Sequence, residues 1–370
     1  MTILLFLAVL SVLVFVHELG HFLVAKKTGM AVEEFGFGFP PRAFGVKRGD
    51  TTYSVNWIPL GGFVKIKGES GEFRDDADSF SSQAGWKRFA VLFAGVAMNM
   101  LLAAVLLSIG FMLGLPSVID AGTPKSAHIS DQALVATSIV PDSPSAKAGL
   151  KAGDTILTID TRVFENADAA RNYIRENGDG GMDVGVQHED GTFGTSRVAS
   201  ADIPSAGIHG IGVGLVMTGR ISYAPPMAVY HGFVMAGALL ADVVLSFYDL
   251  LKNIIVHQKV GVELSGPVGI AVMTGEVARL GFVYLLQFTA LLSVNLAVVN
   301  VLPFPALDGG RIFFLAIEKL RRRAMNQRAE ALMHNIGFLL LISLVLLVTY
   351  RDFVRFGGSM WHAIQSFVGA

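Results

Sequence analysis

ILLFLAVLSVLVFVHELGHFLVA, the run from Ile3 to Ala25, is long enough to cross a bilayer as a helix, and its ionisable residues are His17, Glu18 and His21. Ionisable groups in hydrocarbon are costly, so three within five residues mark a functional site. His17 and His21, at i and i+4, share one helix face. That spacing lets two imidazoles grip one zinc ion, with Glu18 placed to act as base on the attacking water. A lone membrane histidine can simply bond to a neighbouring helix. Two histidines and a glutamate in one apolar helix are harder to explain by packing.

The rest of the composition agrees with a membrane setting. Of 370 residues, 52% are hydrophobic and 16% charged, where a soluble protein carries about a quarter charged. The net charge of -1 gives no reason to expect a nucleic-acid partner. With no cysteine, disulfides, thiolate metal sites and cysteine redox chemistry are excluded. Nothing basic precedes Lys26 and no small-residue cleavage site follows the first run. It therefore reads as a retained span rather than a signal peptide.

Four segments are apolar enough to span: Ile3–Ala25, Phe89–Leu115, Gly281–Leu302 and Ile336–Tyr350. A fifth, Met227–Val256, carries Asp242, Asp249 and Lys252 after Pro225-Pro226, and reads as an amphipathic helix on the membrane surface. Lys26, Lys27, Arg42, Lys47, Arg48, Lys65, Lys67, Lys87 and Arg88 lie between the first two spans. Lys319, Arg321, Arg322, Arg323 and Arg328 lie between the last two. Both connections are expected in the cytoplasm, with both termini and the region Pro116–Leu280 outside.

Two polar inserts have strand signals. In Thr51–Gly68, Tyr53, Val55 and Trp57 alternate with polar residues, Pro59-Leu60-Gly61-Gly62 suggests a turn, and Phe63, Val64 and Ile66 follow, so a hairpin is predicted. Two readings fit it: an ordinary soluble hairpin, or one dipping into the membrane edge and offering an open strand to an extended peptide. Outside the membrane, Ala121–Arg220 reads as one folded domain, with a strand in Thr155–Ile159, a helix in Arg162–Asn177 and a strand in Met182–His188. Gly149-Leu150-Lys151-Ala152-Gly153-Asp154-Thr155-Ile156 resembles the core signature of a PDZ domain, a module that binds peptides by strand addition.

A hydrolytic zinc ion takes three protein ligands. The candidate third ligand is Asp308, in Asn300-Val301-Leu302-Pro303-Phe304-Pro305-Ala306-Leu307-Asp308-Gly309-Gly310, where prolines break an apolar helix just before a carboxylate. Glu33, Glu34, Glu69 and Glu72 compete for that role, and Asp308 could instead cap the next helix. Four spans place Asp308 at the same membrane end as His17 and His21. Were Met227–Val256 to cross, Asp308 would lie on the far side, so a shared site requires that segment to stay on the surface. Asn300 is expected to donate an amide to the scissile carbonyl or substrate backbone. Tyr53, Val55, Trp57, Gly61 and Gly62 are the further candidates for substrate binding.

Together with Ser265-Gly266-Pro267-Val268-Gly269-Ile270, these motifs resemble, in order and over essentially the full chain, the bacterial site-2 proteases of the RseP type. The resemblance implies a polytopic α-helical membrane protein with about four transmembrane helices, a membrane-associated β-hairpin and an inserted α+β PDZ-like domain. It divides the chain into residues 1–115, 121–220, 225–280 and 281–370. It implies one Zn2+ per chain and cleavage, within the bacterial inner membrane, of single-span proteins such as anti-sigma factors or remnant signal peptides. The PDZ-like domain would contact the substrate's periplasmic part. The best-known member carries two tandem PDZ domains, whereas this chain has room for one. A divalent-metal transporter or an inactive membrane scaffold are the competing classes; intact Glu18, His17, His21 and Asp308 speak against the scaffold.

Overall fold

The computed structural model describes every residue except 70, 74, 121, 125, 189, 205–206, 258–264, 324–326 and 369–370, with side chains omitted at 257, 327–328 and 356–368. The surface-segment reading of 225–280 therefore falls partly outside the described residues. Helices are α1 (Thr2–Lys27), α2 (Gly85–Leu113), α3 (Pro144–Lys147), α4 (Ala167–Asn177), α5 (Pro225–His257), α6 (Pro267–Leu280), α7 (Phe282–Val301), α8 (Asp308–Arg321) and α9 (Gln327–Val368). Strands are β1 (Val32–Arg48), β2 (Thr51–Ile66), β3 (Leu115–Ile119), β4 (His128–Ile139), β5 (Thr155–Ile159), β6 (Met182–Gln187), β7 (Phe193–Val198), β8 (Ala201–Ile203), β9 (Ile208–Gly210) and β10 (Val213–Ser222). The chain forms two compact units, one of Met1–Ile109 with Val229–Ala370, the other of Gly110–Ala228.

In the first unit, α1 and α2 meet where small residues remove the side chains between them. A Cβ built on Gly20 would lie 2.4 Å from the Ala94 carbonyl oxygen and 2.7 Å from Met98 Cγ. Such close approach is how apolar helices associate when lipid gives them no hydrophobic incentive to do so. α1 ends at Gly29, which takes a φ of 83°. α7 stops because Pro303 forces Leu302 into an extended conformation. The chain then folds back so tightly that a Cβ on Gly309 would lie 2.2 Å from the Val301 carbonyl oxygen, and one on Gly310 2.3 Å from that of Phe304. The turn is held by Ala306 N–H donating to His334 Nδ1 of α9 at 2.9 Å.

α6 packs at the opposite end of the bundle. The Asp352 carboxylate of α9 accepts N–H groups from Gly266 (3.2 Å) and Gly269 (2.8 Å), satisfying the first turn of α6 across the fold. A Cβ on Gly275 would lie 2.4 Å from Thr2 Cγ2 at the start of α1. Among the described residues, five helices are long and apolar enough to cross a membrane, α5 included: Thr2–Lys27, Gly85–Leu113, Pro225–Val256, Phe282–Val301 and Ala329–Arg355. The last is far longer than the Ile336–Tyr350 core read from sequence, because its charged flanks continue the helix.

The predicted hairpin is present in altered form. Its tight turn is at Gly49-Asp50, and the arms around Pro59–Gly62 do not pair with each other. The beginning of β1 slips between them: Glu34, Phe35, Gly36 and Phe37 face Lys65, Val64, Phe63 and Gly62 on one side and Thr52, Tyr53, Ser54 and Val55 on the other. Residues 42–48 pair with the far side of 51–56. The spatial order of arms is thus 42–48, 51–58, 32–39, 61–66. Local alternation could not reveal this, because the inserted arm comes from earlier in the chain. The sheet lies along α1 through aromatic contacts: Phe22 stacks on Phe35 at 4.6 Å, and Phe15 meets Phe35 at 5.4 Å and Phe37 at 5.8 Å. Ser11 Oγ donates to the Pro59 carbonyl (2.6 Å) and accepts from Gly61 N–H (3.3 Å).

The second unit is a six-stranded sheet in the order β3-β10-β4-β5-β6-β7, all pairs antiparallel, with a separate β8-β9 pair. Its core includes Leu134, Ile156, Met182, Val184, Val186 and Leu215. The Gly149–Asp154 run has a local reason. Gly149 and Gly153 take φ of 85° and 97°, Leu150 enters the core, and buried Asp154 accepts the Lys151 N–H at 2.8 Å. The helix expected from Arg162 starts only at Ala167, because Asn166 caps it by accepting the Ala169 N–H at 2.8 Å.

Candidate metal centre

α1 carries His17 and His21 to one face, and the start of α8 brings Asp308 against them. His17 Nε2 lies 3.0 Å from Asp308 Oδ2, His21 Nε2 lies 3.3 Å from the same oxygen, and the two Nε2 atoms are 3.1 Å apart. Asp308 is the first residue of α8 and Leu307 is its N-cap, so the carboxylate is not used as a helix cap. Among the described residues, these three gather their ligand atoms as a metal ion would require.

Backbone and side-chain partners fix the imidazoles. His21 Nδ1 lies 2.7 Å from the Val91 carbonyl, which can only accept, so Nδ1 carries the proton and, in the neutral ring, Nε2 is left for a ligand bond. His17 Nδ1 lies 3.3 Å from Asn99 Nδ2, and Asn99 Oδ1 is buried without a partner. Turning that amide over lets Oδ1 accept from His17 Nδ1–H, which leaves His17 Nε2 bare as well; amide orientation is assigned from such networks. With both rings neutral, two bare nitrogens and a carboxylate oxygen face one another, the donor set that a metal cation takes. The spacing fits zinc: tetrahedral ligands at about 2.0–2.1 Å from the ion stand about 3.3 Å from each other.

Gly95 of α2 makes room for this cluster. A Cβ there would lie 2.5 Å from His21 Nε2 and 2.8 Å from His17 Nε2. Asn300 Nδ2, on the last turn of α7, lies 3.4 Å from His17 Nε2 and borders the same point. Glu18 lines a cavity of about 180 Å³ together with His21, Phe63, Glu69, Asp308 and Arg311. Of the other acidic candidates, Glu33 pairs with Lys65 at 2.7 Å, Glu34 with Arg42 at 2.7 Å and Glu69 with Arg311 beside the site, and neither these nor Glu72 joins the cluster of ligand atoms.

The remaining expected site residues divide. Gly61 and Gly62 lie on the sheet edge nearest α1, where a Cβ on Gly61 would overlap Val14 at 2.6 Å. Tyr53, Val55 and Trp57 lie on an inner arm. Tyr53 and Val55 have strand partners on both sides, Val46 with Phe35 and Phe44 with Phe37, so that arm has no open backbone edge there. Gly95, Asn99 and Arg311 were missed from sequence. Asn99, a polar residue inside an apolar helix, was the available signal.

A family model described as "Peptidase family M50" matches residues 5–344. The "Regulator of sigma-W protease RasP" of Bacillus subtilis is 30% identical, over 96% of this chain and 98% of that protein. The "Zinc metalloprotease RasP" of Geobacillus kaustophilus is 28% identical, over 95% of this chain and 97% of that protein. Among solved structures, the PDZ domain of the SdrC-like protein of Listeria innocua is 26% identical and covers 22% of this chain and 92% of that domain, with a TM-score of 0.20.

Proposed function

The chain belongs to peptidase family M50 and is a zinc metalloprotease; from that premise we propose that it cuts transmembrane segments of single-span proteins within the bacterial inner membrane. The observation that carries this reading is the convergence of His17, His21 and Asp308 beside the Glu18 cavity. Thr2 precedes His17 by fifteen residues, and Asp352 follows Gly337, which abuts Pro305, by fifteen. Each interval is about 22 Å of helix at about 1.5 Å per residue. In a hydrocarbon core of about 30 Å, the site is then submerged and closer to the opposite face. Lys26, Lys27, Lys87, Arg88, Lys319 and Arg321 cluster toward that face, which supports its being cytoplasmic. Both termini and the PDZ-like unit are then periplasmic.

The reading needs α5 to stay at the outer surface. Gly232 packs on Ser108 near the end of α2, and α6 begins beside Asp352. The 33-residue α5 is about 50 Å long. Asp242, Asp249 and Lys252 within its apolar run suit a helix lying at the membrane surface.

His17, His21 and Asp308 would hold the zinc. Zinc, when bound, makes water acidic enough to attack at neutral pH and polarises the scissile carbonyl. Glu18 takes the proton of the attacking water and delivers it to the leaving nitrogen. The Asn300 amide donates to the carbonyl oxygen as it gains charge. A helical substrate hides its peptide groups in i to i−4 hydrogen bonds and must unwind first. Beyond Gly61, whose N–H is taken by Ser11, the arm through Ile66 has no strand partner on its outer side among the described residues and takes the unwound segment as an added strand. Exposed Phe39, Phe44, Val46, Trp57 and Ile58 suit a sheet that enters the membrane. Anti-sigma factors and remnant signal peptides are the substrate classes in view, and the PDZ-like unit contacts the substrate's periplasmic part.

In proteoliposomes holding a single-span substrate, Glu18→Gln is expected to keep its zinc and lose about 10²–10⁴-fold in cleavage rate. Full cleavage by that variant would remove Glu18 from the chemistry.

A further inference from the structure

Arg311 and Glu69 come from distant parts of the sequence, yet the Arg311 guanidinium meets the Glu69 carboxylate directly. Arg311 lies three residues beyond Asp308 on α8, so the two share a helix face. Glu69 lies three residues beyond Ile66, where the open sheet edge ends. Its backbone is fixed there, since Glu69 N–H donates to the Ile66 carbonyl and Lys67 N–H to that of Ala31. Both side chains line the cavity that contains Glu18, His21 and Asp308. Both also line a neighbouring cavity of about 100 Å³ with Arg88, Glu318 and Glu330.

We propose that the Arg311–Glu69 ion pair is a brace that sets the Asp308 helix against the sheet edge, making both residues positioning residues for cleavage. The proposal rests on the strand-addition reading above. α8 is only fourteen residues long, and its first turn hangs from the tight Leu302–Leu307 bend. Two ion pairs hold its rotation, Arg88–Glu318 (2.9 Å) toward its end and Arg311–Glu69 beside the site. The side chains of Arg311 and Glu69 are 31% and 27% exposed, so the pair is half-buried at the rim of the cavity. Its effect is geometric: it fixes the distance between a strand held at Gly61–Ile66 and the group that Asp308 holds. Displacements of about 1 Å at such a distance can lower rates by up to about a hundredfold.

The test uses the full chain in proteoliposomes with a single-span substrate. The variants are Glu69→Gln, Arg311→Gln and the double exchange Glu69→Arg with Arg311→Glu. Each single variant is expected to keep wild-type zinc by elemental analysis and a KM within about twofold, while kcat falls about tenfold. The exchange is expected to recover most of kcat. The brace is overturned if the single variants turn over at the wild-type rate, if only KM changes, if zinc is lost, or if the exchange is no better than either single change. An unchanged cleavage rate in a Val64→Pro variant, which disrupts the Gly61–Ile66 edge, would instead defeat the strand-addition reading, so the two failures are separable.

Discussion

A histidine faces a largely buried aspartate in each of the two units, and the pairs are built differently. In the second unit, Asp154 Oδ2 accepts the Lys151 N–H and Oδ1 faces His188 Nδ1 at 2.9 Å. Each oxygen has its own donor, and one of these lies three residues away. In the first unit, two histidine nitrogens crowd a single oxygen of Asp308, and the supporting partners come from α2 and α7. The first pattern is satisfied without further help and stabilises a turn. The second points two imidazole nitrogens at one carboxylate oxygen, the convergence that a bound cation would use. Residue types are the same in both while burial is reversed, the histidines being the more buried partners at Asp308 and the aspartate at His188; what separates structure from site is how many groups converge on one oxygen.

The largest expected contrast comes from removing each aspartate. Asp308→Ala is expected to abolish zinc binding and proteolysis, while Asp154→Ala leaves zinc content unchanged; elemental analysis of both purified variants checks this. Retained zinc in Asp308→Ala would place Asp308 outside the ligand set. Next, Gly95→Ala inserts a methyl group 2.5 Å from His21 Nε2. It is expected to weaken zinc by about 10–100-fold, the range for disturbed support around a ligand, measured by competition with a chelator. Unchanged affinity would mean that α2 yields readily. The smallest effect is on folding: Asp154→Ala should destabilise the second unit by about 1–3 kcal/mol, the cost of an unsatisfied buried partner, read from denaturant unfolding.

These features were unequally legible in the sequence. His17, Glu18 and His21 stood out because charge is rare in an apolar run, and Asp308 because two prolines end a helix beside it. Gly95 did not stand out, since a glycine in an apolar helix looks like ordinary packing until another helix is laid across it. Arg311 carries no signal of its own in the sequence, because its role depends on α8 turning it toward Glu69. The sheet was misread for the same reason: pairing of 32–39 between 51–58 and 61–66 is a long-range choice. Local alternation marks a strand but not its neighbours. Interactions within one turn could be read along the chain, and those between elements required the fold.

The crossing at Gly20 has a mechanical consequence. With Ala94 and Met98 pressed where a side chain would otherwise stand, α1 cannot slide or roll on α2 without collision. That seam is the fixed frame of the machine. α9, by contrast, buries little of its length against the rest of the fold, and its described anchors are those at Ala306, Gly266 and Gly269.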